Sequence, residues 1–269
     1  MKNRLQHVLC ELDAMERTVR KRSPLHSLDA RAKLLVTIVF LVTMLSVPLL
    51  RLSELLLFAV FPIVSAAMGG LNFGTVFRRS LIVLPFVAFI GVFNLFYDRE
   101  PVFRIGQLIV TEGWISFLSI ILRGLLSVQV LLVLIYSTGY YRICRSMQRL
   151  GIPSVFTTQL LFVYRYIYVL IEEAMAMQRA RDARSFGRSS YPLRVWGTLV
   201  GQLLIRTFER AELISRAMLA RGFTGHIPAG IFESPAWKMR DTVFLTAWCS
   251  ALLLLRLFHP VETLSNLIR

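Results

Sequence analysis

Two short stretches place an arginine where a long charged helix should stop: Ala183-Arg184-Ser185 and Ala220-Arg221-Gly222. The arginine side chain is always charged, planar and armed with five donors, so at the tip of a rigid helix it suits forked bonding to carboxylates or carbonyls in a receiving groove. A plain helix end explains the same residues, because arginine complements the C-terminal end of the macrodipole and glycine closes the last turn. The other chemically capable residues are dispersed. His7, His26, His226 and His259 lie far apart with no paired ligand spacing, and Cys10, Cys144 and Cys249 are scattered without a CxxC pair. Neither a metal site nor a disulfide framework is expected, and the cysteines read as small apolar fillers. A polytopic membrane enzyme such as a lipid or prenyl transferase needs clustered acids for Mg²⁺ and diphosphate. The sequence offers no pair of aspartates at helical spacing in a cytoplasmic loop and no P-loop. No catalytic residue and no cofactor is expected in this chain, and no nucleic-acid partner.

The elements that must carry these arginines are set by composition. Of 269 residues, 55% are apolar, so long hydrophobic runs rather than one water-soluble core organise the chain. Five runs read as membrane spans: 34 to 50, 55 to 71, 81 to 97, 114 to 136 and 242 to 258. Each approaches the length that crosses about 30 Å of hydrocarbon at about 1.5 Å per residue. Pro48, Pro62 and Pro85 fall in or beside them and are tolerated where neighbouring helices satisfy the freed carbonyls. Arg123 lies inside the fourth run, where an ionisable group is either paired internally or part of a transport path. The first 32 residues are polar and charged, so no cleavable signal peptide is expected there.

Charge orients the spans. The chain carries 31 Lys and Arg against 16 Asp and Glu. Residues 1 to 33 hold eight basic and four acidic side chains, which puts the N-terminus in the cytoplasm. The 98 to 112 loop, net −1, goes outside, and after five crossings the C-terminus is outside as well. Residues 137 to 240 hold fifteen basic and six acidic residues, a net +9, and are expected inside. Within them 155 to 171 and 193 to 208 resemble a further pair of spans. Crossing there would expose Arg179, Arg181, Arg184 and Arg188 outside, against the positive-inside bias. The region is therefore read as three cytoplasmic helices: an amphipathic one over 140 to 150, a second from about Ser154 to Ser185, and a third from about Leu193 to Arg221. The fold class is an all-α polytopic membrane protein: an N-terminal cytoplasmic segment (1–32), spans one to four (33–136), cytoplasmic helices (137–240), and span five with its tail (241–269).

Three stretches carry a resemblance: "SPLHSLDARAKLLVTIVF" (23 to 40), "QRLGIPSVFTTQLLFVYRYIYVLIEEAMAMQRARDARSFG" (148 to 187) and "ERAELISRAMLARGFTGHIP" (209 to 228). Together they resemble the transmembrane T component of energy-coupling factor (ECF) transporters, specifically its cobalt-transport version, CbiQ. The resemblance implies a coupling subunit of an ABC importer in the cell (inner) membrane. Its partners would be a pair of ABC-type ATPases and a CbiM-like substrate-binding membrane subunit, the S component, which would hold the cargo site. It implies that the helices ending in Ala183-Arg184-Ser185 and Ala220-Arg221-Gly222 contact the ATPases. Ser185 stands where that pattern has glycine, and Ala180-Arg181-Asp182 offers a competing frame. Cobalt is the implied cargo, with nickel or a vitamin such as biotin as alternatives, because the T component does not select the substrate. Met175, Met177 and Met218 on these helices suit either internal packing or an adaptable fit to an ATPase groove. A conventional permease that binds its own cargo would purify without those partners.

The charge bias generates a labelling test. Cysteines introduced at Ser190 and Thr224 should react with a membrane-impermeant maleimide only after permeabilisation, and one at Asp98 should react in intact cells. Ready labelling at Ser190 from outside removes the cytoplasmic assignment.

Overall fold

The computed structural model describes Cys10 and residues 23–97, 101–105, 108–184, 193–225 and 237–257. Ser185, Gly187, His7, His226, His259, the rest of the N-terminal segment and the tail after Leu257 lie outside them. The chain divides into two compact units, one formed by residues 18–139 and 234–269, the other containing residues 140–233.

The first unit holds α1 (Ala30–Leu45), α2 (Leu52–Phe58), α3 (Val60–Met68), α4 (Phe73–Ser80), α5 (Leu84–Tyr97), α6 (Glu112–Thr138) and α10 (Met239–Leu257). The second holds α7 (Tyr140–Arg149), α8 (Ser154–Arg184) and α9 (Leu193–Ala220). The five expected spans correspond to α1, α2 with α3, α4 with α5, α6, and α10. The all-α expectation describes the body of the protein; the addition is an antiparallel hairpin, β1 (Pro101–Ile105) with β2 (Leu108–Thr111), in the stretch read as a loop.

Two apolar runs that look continuous in sequence are broken, and proline accounts for both. Pro62 has no N–H to give to Phe58 and its ring crowds that carbonyl; α2 ends at Phe58 and α3 begins at Val60. Pro85 sits in the first turn of α5, where a missing N–H costs nothing, and the chain reaches it through a 3₁₀ turn over Leu81–Val83. Among the described residues three stretches are able to cross a membrane by length and composition, Phe73–Leu95, Glu112–Thr138 and Ser154–Arg184, with Leu52–Met68 shorter; the third is α8, which the charge bias had kept on the cytoplasmic side, while α1 and α10 are not among them.

Helix α1 is the centre of the first unit, with α6 and α10 packed along it. Its buried residues Val36, Phe40 and Met44 recur every fourth position and join Leu55, Phe58, Phe61, Leu126, Val130 and Leu252 in one core. Aromatic rings lock that core: Phe40 stacks on Phe61 at 4.8 Å and meets Phe58 edge-on at 5.9 Å, and Trp248 of α10 stands edge-on to Phe61 at 4.7 Å. A second cluster joins Leu25, Leu28, Ala66, Val76 and Val133. From α4, Arg79 donates to the Tyr136 hydroxyl and lies 5.5 Å from that ring, adding a cation–π contact to α6.

At sixteen residues, α1 is about 24 Å long, short of the roughly 30 Å of hydrocarbon. Its C-terminal carbonyls find donors within the protein. Arg123 of α6 gives Nη1 to the Leu45 carbonyl at 3.3 Å and Nη2 to that of Val47 at 2.5 Å. Arg256 of α10 gives Nη2 to the Ser46 carbonyl at 2.9 Å. Of the two readings of Arg123, internal pairing is the one realised, and its partner is backbone. At the other end the α1 N-cap Asp29 accepts from Arg31 N–H at 2.9 Å, while its own N–H donates to Asp241 of α10 at 2.9 Å. Lys33 Nζ donates to the Ser137 carbonyl of α6 at 3.1 Å. Both neighbours thus hold α1 at both ends.

Helices α5 and α6 approach through glycine. A Cβ on Gly124 would lie 2.8 Å from a Val87 methyl, and one on Gly91 2.9 Å from the Phe117 ring. Val87 is β-branched and stiff about χ1, so it cannot swing aside. Gly124→Ala should lower stability by about 1–3 kcal/mol, read as a drop in thermal midpoint of the detergent-solubilised protein. The pair Gly124→Ala with Val87→Ala should recover most of it; a full-strength loss in the pair means the close approach is not the cause.

Candidate functional site

Helix α7 starts directly after Gly139, whose φ of +82° is left-handed and natural for glycine, and it stops at Gly151 (φ +101°) and Pro153. Its amphipathic pattern is expressed as packing on α8. Tyr140 stacks on Tyr164 with centroids 4.4 Å apart, Tyr141 meets the same ring edge-on at 5.2 Å, and the Tyr140 hydroxyl donates to the Leu160 carbonyl at 3.2 Å. One turn along α8, Tyr164 and Tyr168 share a hydroxyl–hydroxyl bond of 3.2 Å. These four tyrosines brace α7 against α8, and sequence reasoning missed them. The available signal was the i,i+4 pair Tyr164/Tyr168 opposite a double tyrosine.

Burial has an electrostatic consequence on α7. It pushes the Cys144 thiol up to about 11, against a smaller lowering contribution from the neighbouring Tyr140 side chain. It also pushes Tyr140 up to about 12, helped by the charge of Cys144. Arg142 is lowered by burial. Cys144 is 1% exposed and serves as a filler, as expected.

Helices α8 and α9 form an antiparallel pair. Arg206 bonds Glu173 across it, and Ala174, Met177, Trp196, Leu199, Val200 and Leu203 line an apolar cavity of about 180 Å³ between them. Met177 thus faces the internal space of the pair. On α9, Arg216 bonds Glu212 at i,i+4 spacing.

The end of α9 follows a defined pattern. Phe223 N–H reaches back to the Met218 carbonyl and Gly222 N–H to that of Leu219, both at 3.0 Å, which is a Schellman closure with Gly222 at φ +76°. Phe223 then turns onto Phe162 of α8, with centroids 6.5 Å apart, and Thr158 donates to the Gly225 carbonyl at 3.4 Å. Arg221 is therefore exposed at the cap, level with the first turns of α8. Arg184 is the last residue of α8 and is also exposed, as is Ala183. In the competing frame Arg181 is half-buried, with Nε shut off from solvent.

The two arginines are not brought together. With α8 and α9 antiparallel, Arg184 lies at one end of the pair and Arg221 at the other, separated by some twenty residues of helix, on the order of 30 Å. Among the described residues no three His, Cys, Asp or Glu side chains gather as metal ligands.

A family model described as CbiQ, cobalt transport protein, matches residues 21–229, from before α1 to beyond the α9 cap. The chain belongs to the CbiQ family. It is thus a membrane component of a transporter. An uncharacterized protein of Methanocaldococcus jannaschii is 26% identical over 255 residues, 90% of this chain and 86% of that protein. The energy-coupling factor transporter transmembrane protein EcfT of Thermotoga maritima is 26% identical over 248 residues, 86% of this chain and 89% of its own. The cobalt transport protein CbiQ of Salmonella typhimurium is 25% identical over 148 residues, 51% of this chain and 65% of that protein. The CbiQ match encloses the whole α7–α9 unit and both arginine signatures.

The raised thiol is testable. At pH 8 a group titrating near 11 is thiolate about one part in a thousand. Iodoacetamide should accordingly leave Cys144 of the folded protein unmodified near neutrality and alkylate it only above about pH 10, followed by mass spectrometry of the 144-containing peptide. Fast modification at pH 7.5 contradicts the burial of this thiol.

Proposed function

We propose that this CbiQ-family chain is the coupling subunit of an ECF-type ABC importer. It would carry ATP-driven movement from cytoplasmic ATPases through α7–α9 to a substrate-binding membrane subunit. The observation that carries the reading is the placement of two exposed arginines at opposite ends of one antiparallel helix pair, in a compact unit separate from the one that holds α1–α6 and α10. Two contact points so far apart suit two ATPase subunits better than one. Exposure favours Ala183-Arg184-Ser185 over Ala180-Arg181-Asp182 as the first signature, with Ala220-Arg221-Gly222 as the second. In this reading the chain catalyses nothing and holds no cargo site. The N-terminus and residues 137–240 are cytoplasmic and the C-terminus is outside, as the charge distribution requires.

The cobalt named for the family, and for the relative in Salmonella typhimurium, supports a cobalt cargo taken from a CbiM-like S component. Nickel or a vitamin such as biotin would travel through the same coupling device, because selection lies in the other membrane subunit.

Charge reversal separates contact from capping. Arg221→Glu puts a carboxylate at a surface shaped for a cation and at the unfavourable end of the α9 dipole. Arg184→Glu with Arg221→Glu, in the complete transporter at matched membrane levels, should lose ATPase co-purification and cut cobalt uptake by about tenfold or more, the scale of a lost interfacial charge contact. Arg221→Ala should be milder. A double variant that retains its ATPases and transports at the unmodified rate sinks the coupling role of these arginines.

A further inference from the structure

The chain leaves the unit of spans after Gly139 and returns to it at Ser234. Close to each crossing, one group is held on a single turn of α1. On the outgoing side, the Ser137 carbonyl accepts from Lys33 Nζ at 3.1 Å. On the returning side, Asp241 spends both oxygens on backbone, Oδ1 accepting from Asp29 N–H at 2.9 Å and Oδ2 from Lys238 N–H at 2.8 Å. Asp29 and Lys33 are joined within that turn, Lys33 N–H donating to the Asp29 carbonyl at 3.4 Å. The groups are shut away from water: Asp29 is 0% exposed, Ser137 1%, Asp241 2% and Lys33 4%. Removing either charged partner leaves a buried group with nothing to replace it, so these bonds resist breaking more than exposed ones do.

We infer that this turn of α1 is the fixed point to which the last turn of α6 and the first turn of α10, close to where the chain leaves for and returns from residues 140–233, are pinned. Lys33, Asp29 and Asp241 are positioning residues that pass the unit's displacement into the spans. The inference rests on the coupling role proposed above. A lever transmits only if its fixed end does not slip. Were the Ser137 carbonyl and the Lys238–Asp241 turn loose, a push on the cytoplasmic helices would be absorbed by fraying the last turn of α6 and the first turn of α10. Pinning moves compliance to the next residues outward, where Gly139 sits at φ +82°, a joint that glycine adopts without strain.

The test uses the complete transporter with Lys33→Met, which removes the donor to Ser137, and the nearly isosteric Asp241→Asn, which leaves one backbone N–H facing an amide. The second keeps the question open to an answer if the first does not accumulate. Three quantities are read in each preparation: retention of the ATPase subunits, amide hydrogen exchange over 134–141 and 238–245, and cobalt ions taken up per ATP hydrolysed. ATPases should be retained at the unmodified level. Exchange should quicken about tenfold in 134–141 for Lys33→Met and in 238–245 for Asp241→Asn. Uptake per ATP should fall about fivefold or more. Loosened exchange with unmodified uptake per ATP overturns the inference, and so does unchanged exchange. Absence of ATPases from the unmodified protein overturns the coupling role and the pin together, and is recognised because no substitution is needed to produce it.

Discussion

A helix that ends inside an apolar layer must find partners for its terminal backbone groups within the protein, because hydrocarbon supplies none. Helix α1 has such partners at both ends, supplied by α6 and α10. The three carbonyls of Leu45, Ser46 and Val47 are taken by Arg123 and Arg256, one guanidinium from each neighbouring helix. At the opposite end the Asp29 N–H finds Asp241. The order of helices around α1 is thus specified by polar bonds at its ends as well as by the Phe40, Phe58, Phe61 and Trp248 cluster between them. Apolar packing alone tolerates rotation and sliding of helices in lipid; bonds at both ends fix register.

The second unit is held by different means. Its helices show much apolar surface, including Val155, Phe156 and Val163 on α8 and Val200, Leu204 and Phe208 on α9. Its internal order comes from the tyrosine stack between α7 and α8, the Arg206–Glu173 bond and the Phe223 return onto Phe162. A pair of long helices braced at a few points leaves much of its faces available. The CbiQ family membership, the exposed arginines at both ends and the cap at Gly222 are mutually consistent in that light.

What the sequence made legible follows from what is local. The long apolar runs, the amphipathic 140 to 150 stretch and the stop at Gly222 all depend on neighbours within a turn or two, and each stands in the structure. The breaks at Ala59 and Leu81–Val83 were signalled by Pro62 and Pro85, but a proline inside a span either kinks it or is absorbed, and only packing decides between these. The partners of Arg123 are backbone carbonyls 76 and 78 residues away, and no side-chain pattern announces a carbonyl. The opposite placement of Arg184 and Arg221 likewise depends on α8 and α9 folding back on one another, a tertiary fact. The hairpin β1–β2 lay in a stretch whose charge, rather than its alternation, drew the reading.

Arg256 donates to a carbonyl 210 residues earlier in the chain, and this separation has a bearing on biosynthesis. A ribosome makes α1 well before α10, so the end of α1 lacks one of its two guanidiniums until α10 has been made. Insertion of the early helices cannot therefore complete the unit; a nascent chain truncated before α10 keeps an unsatisfied helix terminus in lipid, the kind of defect on which membrane quality control acts. The end of α1 is completed only when α10 arrives.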